Sequence, residues 1–372
     1  MLKQLVKHFL LILPLQKTIL FESAPDFSDN TQAVYEEMVN RGLNRKYKFV
    51  WLVSDIKSNR THKKNTKVIK LNSFLSVFYR YTAKCIICCN RFITTERKNQ
   101  FRFYLGHGNP LKNTKGYYEI PTDFQYILSS SDGMKRIRSE FYGISEDRLI
   151  VLGYPRNDAF SKDRIDLHSL FERRFSKIIV WYPTVRQFKG GRLTGSNHAL
   201  PVVWNEDKAL KLNKCAKEND VLIVLKPHFA QDISFLKKLV LSNIIFIDDS
   251  FFKKNSLTSY SFVNSCDALL TDFSSIYYDY TLCDKPIGLI WEDYEEYKKS
   301  PGFAIDMDYM MKGGFKIYNI SDFEKFIIDV ANDRDELKEQ RREIRDFANY
   351  SLDGLNAKRV CDFIVEQAKL KL

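Results

Sequence analysis

Two of the chain's six histidines stand directly after short apolar runs. Phe101–Leu105 leads into Gly106-His107-Gly108-Asn109-Pro110-Leu111-Lys112, and Val221–Leu225 leads into Lys226-Pro227-His228. Imidazole is the side chain best suited to move a proton near neutral pH. Glycines on both sides of His107 give a permissive backbone that a substrate can approach closely. Pro227 stops its strand and leaves Lys226 and His228 at the tip of a turn. Two further strand ends present arginines: Gly153-Tyr154-Pro155-Arg156-Asn157-Asp158 and Tyr182-Pro183-Thr184-Val185-Arg186. Guanidinium forks match phosphate oxygens. The run Leu269-Leu270-Thr271-Asp272-Phe273-Ser274-Ser275-Ile276-Tyr277-Tyr278-Asp279-Tyr280 carries a strand into a helix start. Hydroxyls and free N–H groups at such a start form a phosphate site. Plain N-capping by Asp272 or Ser274 accounts for one of these polar residues and not for the whole run. A lone Lys-Pro-His or Pro-Arg is an ordinary solvated loop; five such endings in one chain point to a site.

The elements that would position them alternate between strand and helix. Strands are expected at Thr18–Phe21, Phe49–Val53, Cys85–Cys88, Phe101–Leu105 and Tyr126–Leu128, with amphipathic helices over Thr31–Arg41 and Phe74–Ala83. The pattern restarts with Lys177–Tyr182, Val221–Leu225, Ile244–Ile247, Ala268–Thr271 and Ile287–Leu289. Strands separated by helices imply parallel sheets covered on both faces. In such sheets the chemistry gathers at the carboxyl ends of the strands. The expected architecture is α/β: two doubly wound, Rossmann-like domains facing a central cleft. The boundaries read as 1–165 for a first domain with a basic surface and 166–340 for a second. A helical segment over 341–372 could pack back on the first domain.

The 372 residues are 44% hydrophobic and 14% aromatic, which excludes a largely disordered or fibrous chain. The net charge of +12 is uneven. Met1–Glu172 holds 28 Lys+Arg against 17 Asp+Glu, and Arg173–Leu372 holds 30 against 29. A basic half-molecule attracts a polyanion or an anionic membrane surface. Its cations follow no nucleic-acid-binding motif, so no nucleic-acid partner is expected. Leu2–Phe21 is interrupted by Lys3, Lys7, Pro14 and Lys17. It falls short of the roughly 20 apolar residues of a spanning helix, and no small-residue cleavage site follows it. It reads either as an amphipathic helix lying on a membrane or as an ordinary first helix. The seven cysteines are irregularly spaced, and Cys85, Cys88 and Cys89 lie in an apolar run with no second pair. They read as buried thiols in a reducing compartment. No resident cofactor or dedicated metal cage is expected, although Asp272 and Asp279 could assist a labile divalent ion.

Taken in order, HGNPLK, GYPRND, YPTVR, LKPH and TDFSSIYYDY resemble the motifs of the CDP-glycerol glycerophosphotransferases, the teichoic acid primases and polymerases. Phe21-Glu22-Ser23, Ser28-Asp29-Asn30 and Asp353-Gly354 resemble further family patterns, so the likeness runs from about Phe21 to Val365. Asn109, Gly106, Val185 and Pro301-Gly302 depart from the residues common there. The resemblance implies a GT-B fold with the nucleotide held mainly by the second domain. It implies that His107 and His228 both matter. Donor contacts would fall on His107, Gly108, Asn109, Pro110, Leu111, Arg156, Val185, Arg186, Lys226, Pro227, His228, Ser274, Ser275 and Asp279. The reaction so implied moves a glycerol phosphate, or related polyol phosphate, from CDP-glycerol or another CDP-polyol to a hydroxyl, and releases CMP. The acceptor would be polyprenyl-linked or a surface glycan of the teichoic acid or capsule type. The enzyme would sit peripherally on the cytoplasmic face of the bacterial membrane. His107 is assigned as base and His228 as donor-phosphate contact or acid toward leaving CMP, and the two roles could be reversed. The alternative is a GT-B glycosyltransferase using a nucleotide sugar, distinguished by which nucleotide it releases.

Overall fold

The computed structural model describes residues 2–57, 64–95, 97–113, 119–188, 191–192, 198, 200–227, 231 and 233–371. The chain forms two compact units: one of Met1–Gly108, Gly116–Asp158 and Tyr350–Leu372, the other of Asn109–Lys115 and Ala159–Asn349.

In the first unit, β1 (Gln16–Glu22), β2 (Lys48–Val53), β3 (Thr66–Lys70), β4 (Ala83–Cys88), β5 (Phe101–Tyr104), β6 (Tyr126–Ser129) and β7 (Leu149–Val151) form one sheet. Its order is β3-β2-β1-β4-β5-β6-β7, and every pairing is parallel. Side chains alternate between the faces, as the period of two requires. Ile19 and Phe21 of β1 join Phe49 and Trp51 in one core layer, while Leu20 joins Val50, Leu52 and Ile86 in the other. The helices are α1 (Leu2–Ile12), α2 (Asp29–Asn40), α3 (Leu43–Lys46), α4 (Phe74–Thr82) and α5 (Asp132–Tyr142). The last helix of the chain, Asn356–Gln367, packs on α2 and supplies Val360 and Ile364 to the first layer.

In the second unit, β8 (Lys177–Trp181), β11 (Val221–Leu225), β12 (Ile244–Phe246), β13 (Ala268–Thr271), β14 (Ile287–Ile290) and β15 (Phe315–Ile317) run β12-β11-β8-β13-β14-β15, again all parallel. A two-stranded ladder, β9 (Gln187–Phe188) with β10 (Gly191–Arg192), stands apart from this sheet. Each of the ten expected strands is present. Of the described strands not foreseen, β9 and β10 form the separate ladder, and β3, β7 and β15 all lie at edges of the two large sheets. An edge strand has one neighbour and is less enclosed, so it needs less of the continuous apolar run that marks a central parallel strand. In both sheets the winding reverses once, between β1 and β4 and between β8 and β13, which marks the two carboxyl edges where ligands of such folds bind.

Candidate active site

At the first reversal, three consecutive carbonyls fix the loop that carries His107. Asn30 Nδ2 donates to Gly106 O at 2.9 Å, Arg156 Nη1 to His107 O at 2.8 Å, and Arg138 Nη1 to Gly108 O at 2.9 Å. Asn30 also accepts from the Arg156 backbone N–H, and Arg156 Nη1 is paired with Asp29 at 2.8 Å. Asp29 opens α2 with φ of +61°, a left-handed conformation that Asp tolerates better than most residues. Gly106 is also left-handed, and a Cβ there would lie 2.8 Å from Arg138 Nη2. The tight glycine is therefore what lets the Arg138 guanidinium pass beneath the loop. Arg138 is fully buried, donates to the Tyr154 hydroxyl at 2.6 Å and packs over the rings of Tyr142 and Tyr154.

So held, the His107 imidazole is exposed on one side and places Nδ1 3.2 Å from Cys89 O. A carbonyl can only accept, so Nδ1 carries the proton and Nε2 keeps its lone pair. Desolvation by the crowded surroundings lowers the His107 pKa from its ordinary 6.5; Asp29 and the Cys89 bond oppose this, and Arg156 and Arg138 add to it. A neutral imidazole whose Nε2 has no partner among the described residues can take a proton at pH 7. Arg156, one of the expected donor-contact residues, is buried and engaged in holding this loop.

Within the HGNPLK run the chain passes into the second unit. Asn109 and Leu111 are buried there, and Leu111 and Asn113 bond to Ala304 and Gly302. At that unit's reversal point, the ends of β8, β13 and β14 contribute Thr184 and Arg186, Asp272, and Asp293. Arg186 is fully buried: Nε and Nη2 meet the two Asp293 oxygens at 2.7 and 3.1 Å, and Nη1 reaches Asp272 Oδ2 at 2.8 Å. Both Asp272 oxygens also accept from Thr184 N at 3.0 Å, and Oδ1 accepts from the Thr184 hydroxyl. Phe273 and Tyr297 lie about the guanidinium with ring centroids 5.1 and 5.0 Å away. Asp272 is therefore no helix cap, and Arg186 is no exposed phosphate fork; together they lock the YPTVR loop to the TDFSS strand end. The half-buried cation beside them is Lys112. Desolvation brings its pKa down to about 8, with Asp272 opposing and Arg186 reinforcing the fall.

Ser274 and Ser275 are half-buried ahead of the short helix Ile276–Tyr280, and Ser275 makes no side-chain capping bond. Asp279 is buried and accepts from the Tyr260 hydroxyl at 2.8 Å. Lys226 pairs with Asp249 at 3.0 Å, and the half-buried Val185 precedes Arg186. Pro227 lines a cavity of about 880 Å³ with Phe246, Asp248, Ser250 and Phe251. Pro110 is buried with its neighbours, Gly108 is half-buried, and His228 lies outside the described residues. Sequence reasoning assigned no site role to Arg138 or Asp293. A strand-end signal existed for Asp293, which stands three residues after β14. Nothing in the local sequence marked Arg138, midway along an amphipathic helix.

The sequence profile of the CDP-glycerol:poly(glycerophosphate) glycerophosphotransferase family matches residues 5–366. The chain belongs to this family. Among family relatives, the teichoic acid poly(ribitol-phosphate) polymerase of Bacillus spizizenii is 25% identical over 92% of this chain and 55% of its own length. Two teichoic acid poly(glycerol phosphate) polymerases, from Staphylococcus epidermidis and Bacillus subtilis, match over 43% and 41% of theirs, so the chain spans about half the length of these curated relatives. The teichoic acid glycerol-phosphate transferase of Staphylococcus aureus is 24% identical, with 98% of each chain covered. Of solved structures, the wall teichoic acid polymerase TagF superposes with a TM-score of 0.73 at 21% identity, covering 95% of this chain and 89% of that one. UDP-GlcNAc 2-epimerase from Neisseria meningitidis superposes at 0.53 and 14% identity, covering 94% and 99%. These likenesses show that this family member has the GT-B type of fold, two parallel-sheet α/β units.

Proposed function

We propose that the chain transfers a glycerol phosphate, or a related polyol phosphate, from a CDP-linked donor to a hydroxyl of a lipid-linked or surface-glycan acceptor, releasing CMP. The observation that carries this reading is the family match over nearly the whole chain. The fixed, neutral His107 at a strand-end reversal supports it. In this mechanism His107 Nε2 takes the proton of the attacking hydroxyl. The oxygen then bonds to the glycerol-bearing phosphorus, and the bond from that phosphorus to the CMP oxygen breaks. The Lys112 ammonium, the Ser274 and Ser275 hydroxyls and Lys226 offer donors to pyrophosphate oxygens as charge moves to the leaving side. Arg186 acts at one remove by holding that loop. His228 remains proposed as donor-phosphate contact or acid, on the strength of its motif. A panel of CDP-glycerol, CDP-ribitol and UDP-, GDP- and ADP-sugars tests the reading: CMP release from a CDP-polyol supports it, and UDP, GDP or ADP release from a sugar donor alone sinks it.

Two pKa shifts set the expected pH dependence. Protonating His107 occupies Nε2, so activity is lost on the acid side, through a pKa below 6.5. Deprotonating Lys112 removes a phosphate-attracting charge, so donor KM should climb above about pH 8. Lys112→Arg should move that alkaline limb upward, and a limb that stays put assigns it to another group.

The double substitution of Ser274 and Ser275 by alanine should weaken CDP-glycerol binding about tenfold, through loss of hydroxyl donors to phosphate. Unchanged affinity in calorimetry would leave the two serines without a donor role.

The proposed place of action is an anionic membrane surface. No helix among the described residues is long and apolar enough to cross a membrane. However, α1 packs on α4, and the pair leaves Phe9, Ile12 and Phe74 exposed at 58%, 79% and 78%. Such side chains beside Lys7 suit peripheral insertion, aided by about 1 kcal/mol per basic residue near the lipid. Cosedimentation with phosphatidylglycerol vesicles should exceed that with phosphatidylcholine, falling at high salt and in Phe9→Ser/Phe74→Ser. Equal, negligible binding to both vesicle types would point to an acceptor met in solution.

A further inference from the structure

The first unit holds a second feature on its carboxyl edge, apart from the His107 loop. A cavity of about 420 Å³ is lined by Ser54, Lys70, Asn72, Arg80, Arg91 and Phe92, with Leu71 and Ile93. These residues come from the end of β3, from the loops that follow β2, β3 and β4, and from α4. Three of them are cations and none is a carboxylate. Arg91 is compensated: its Nη1 meets the buried Glu22 at 3.0 Å, and Glu22 also accepts from the Asn90 and Arg91 backbone N–H groups. Asp26, beside Ser54, is occupied by the Ser54 and Asp55 amides. Lys70 and Arg80 form no ion pair among the described residues. Arg80 donates from Nη2 to Leu71 O at 2.8 Å, and its Nε is buried with no partner among the described residues. Lys70 and Arg80 both line this roomy, carboxylate-free cavity, where an anion would be drawn to them; burial and the nearby Arg91 charge lower the Arg80 pKa, although Glu22 opposes them.

We propose that this cavity is a binding subsite for a phosphate or pyrophosphate group of the acceptor substrate, with Lys70 and Arg80 as its ligands. The inference rests on the transferase reading above and adds where the acceptor is held. The cavity's volume suits a phosphate with part of the group it esterifies. Arg80 supplies fork donors from a helix packed on the sheet, and Lys70 supplies a mobile point charge at the end of β3. Cys89, whose carbonyl orients His107, lies two residues before Arg91 on the same strand-end loop. An acceptor phosphate seated here is thus held on the edge from which the base operates.

The test uses the full chain and inorganic pyrophosphate as probe, titrated calorimetrically with the donor site saturated by CMP. Pyrophosphate should bind, more weakly as salt rises. Lys70→Gln and Arg80→Gln should each reduce affinity about tenfold. With a short-chain lipid-linked pyrophosphate acceptor, the same variants should raise acceptor KM about tenfold and leave donor KM and CMP affinity unchanged. Lys70 is exposed, so its variant stays informative should Arg80→Gln fold poorly. Equal pyrophosphate affinity and equal acceptor KM in the wild type and Lys70→Gln would overturn the subsite. So would variants that lose only binding to phosphatidylglycerol vesicles, which would assign the cations to lipid headgroups. Failure of the transferase reading shows separately, as absence of CMP binding and of CMP release from any CDP-polyol.

Discussion

Replacing His107 with alanine should reduce turnover by on the order of 10² or more while the protein stays folded. Its loop is held by backbone carbonyls, Gly106 O, His107 O and Gly108 O, none of which depends on the imidazole. Removing the ring deletes the proton acceptor and leaves its mount in place. The loss should therefore appear in kcat, with donor KM and thermal midpoint little changed. His107→Gln can restore a hydrogen bond to Cys89 O but not a base, so it should remain as slow as the alanine variant. His228→Ala is expected to fall by a similar factor on the strength of its motif. Near-normal turnover in either alanine variant removes that residue from the chemistry.

The largest effect on stability should come from Asp272→Ala. This carboxylate is 2% exposed, faces a fully buried guanidinium, and also receives the Thr184 amide and hydroxyl. Its removal leaves Arg186 with a neighbouring charge missing and two donors at Thr184 unsatisfied. Breaking a buried pair in this way costs about 3–5 kcal/mol. A urea titration should show a lower midpoint with little change in slope. Asp293→Ala should act similarly, since it takes the other side of the same guanidinium. A loss below about 1 kcal/mol in both variants would mean that the pair is solvated in solution and that Arg186 is free to meet ligand phosphate.

Much of the fold was legible because central parallel strands are buried on both faces and read as unbroken apolar runs. IIVW in β8, VLIVL in β11 and ALLT in β13 are such runs. TKVIK in β3 holds only two apolar residues, Val68 and Ile69, between polar ones, and three-residue β7 and β15 are too short for any period to show. The site was legible where strand ends carry polar residues at tight turns, which brought out His107, Arg186, Asp272 and the serines. What could not be read was which polar group meets which. Arg156 and Arg186 look alike as strand-end forks in sequence, yet one is spent on Asp29 and a carbonyl, and the other on two buried carboxylates. Those pairings join residues 49 to 127 positions apart, so only the sheet order brings them together. Arg138 carried no local signal, because its role depends on a loop 30 residues away.

Transfer of a polyol phosphate with loss of CMP is measured most directly by the mass of the acceptor after incubation with CDP-glycerol. A short-chain lipid-linked acceptor should gain the mass of one or more glycerol phosphate units, with one CMP released per unit added and both products formed about 10² times more slowly by His107→Ala. A gain of a hexose mass from a nucleotide sugar, with the acceptor unchanged by every CDP-polyol, would contradict the account.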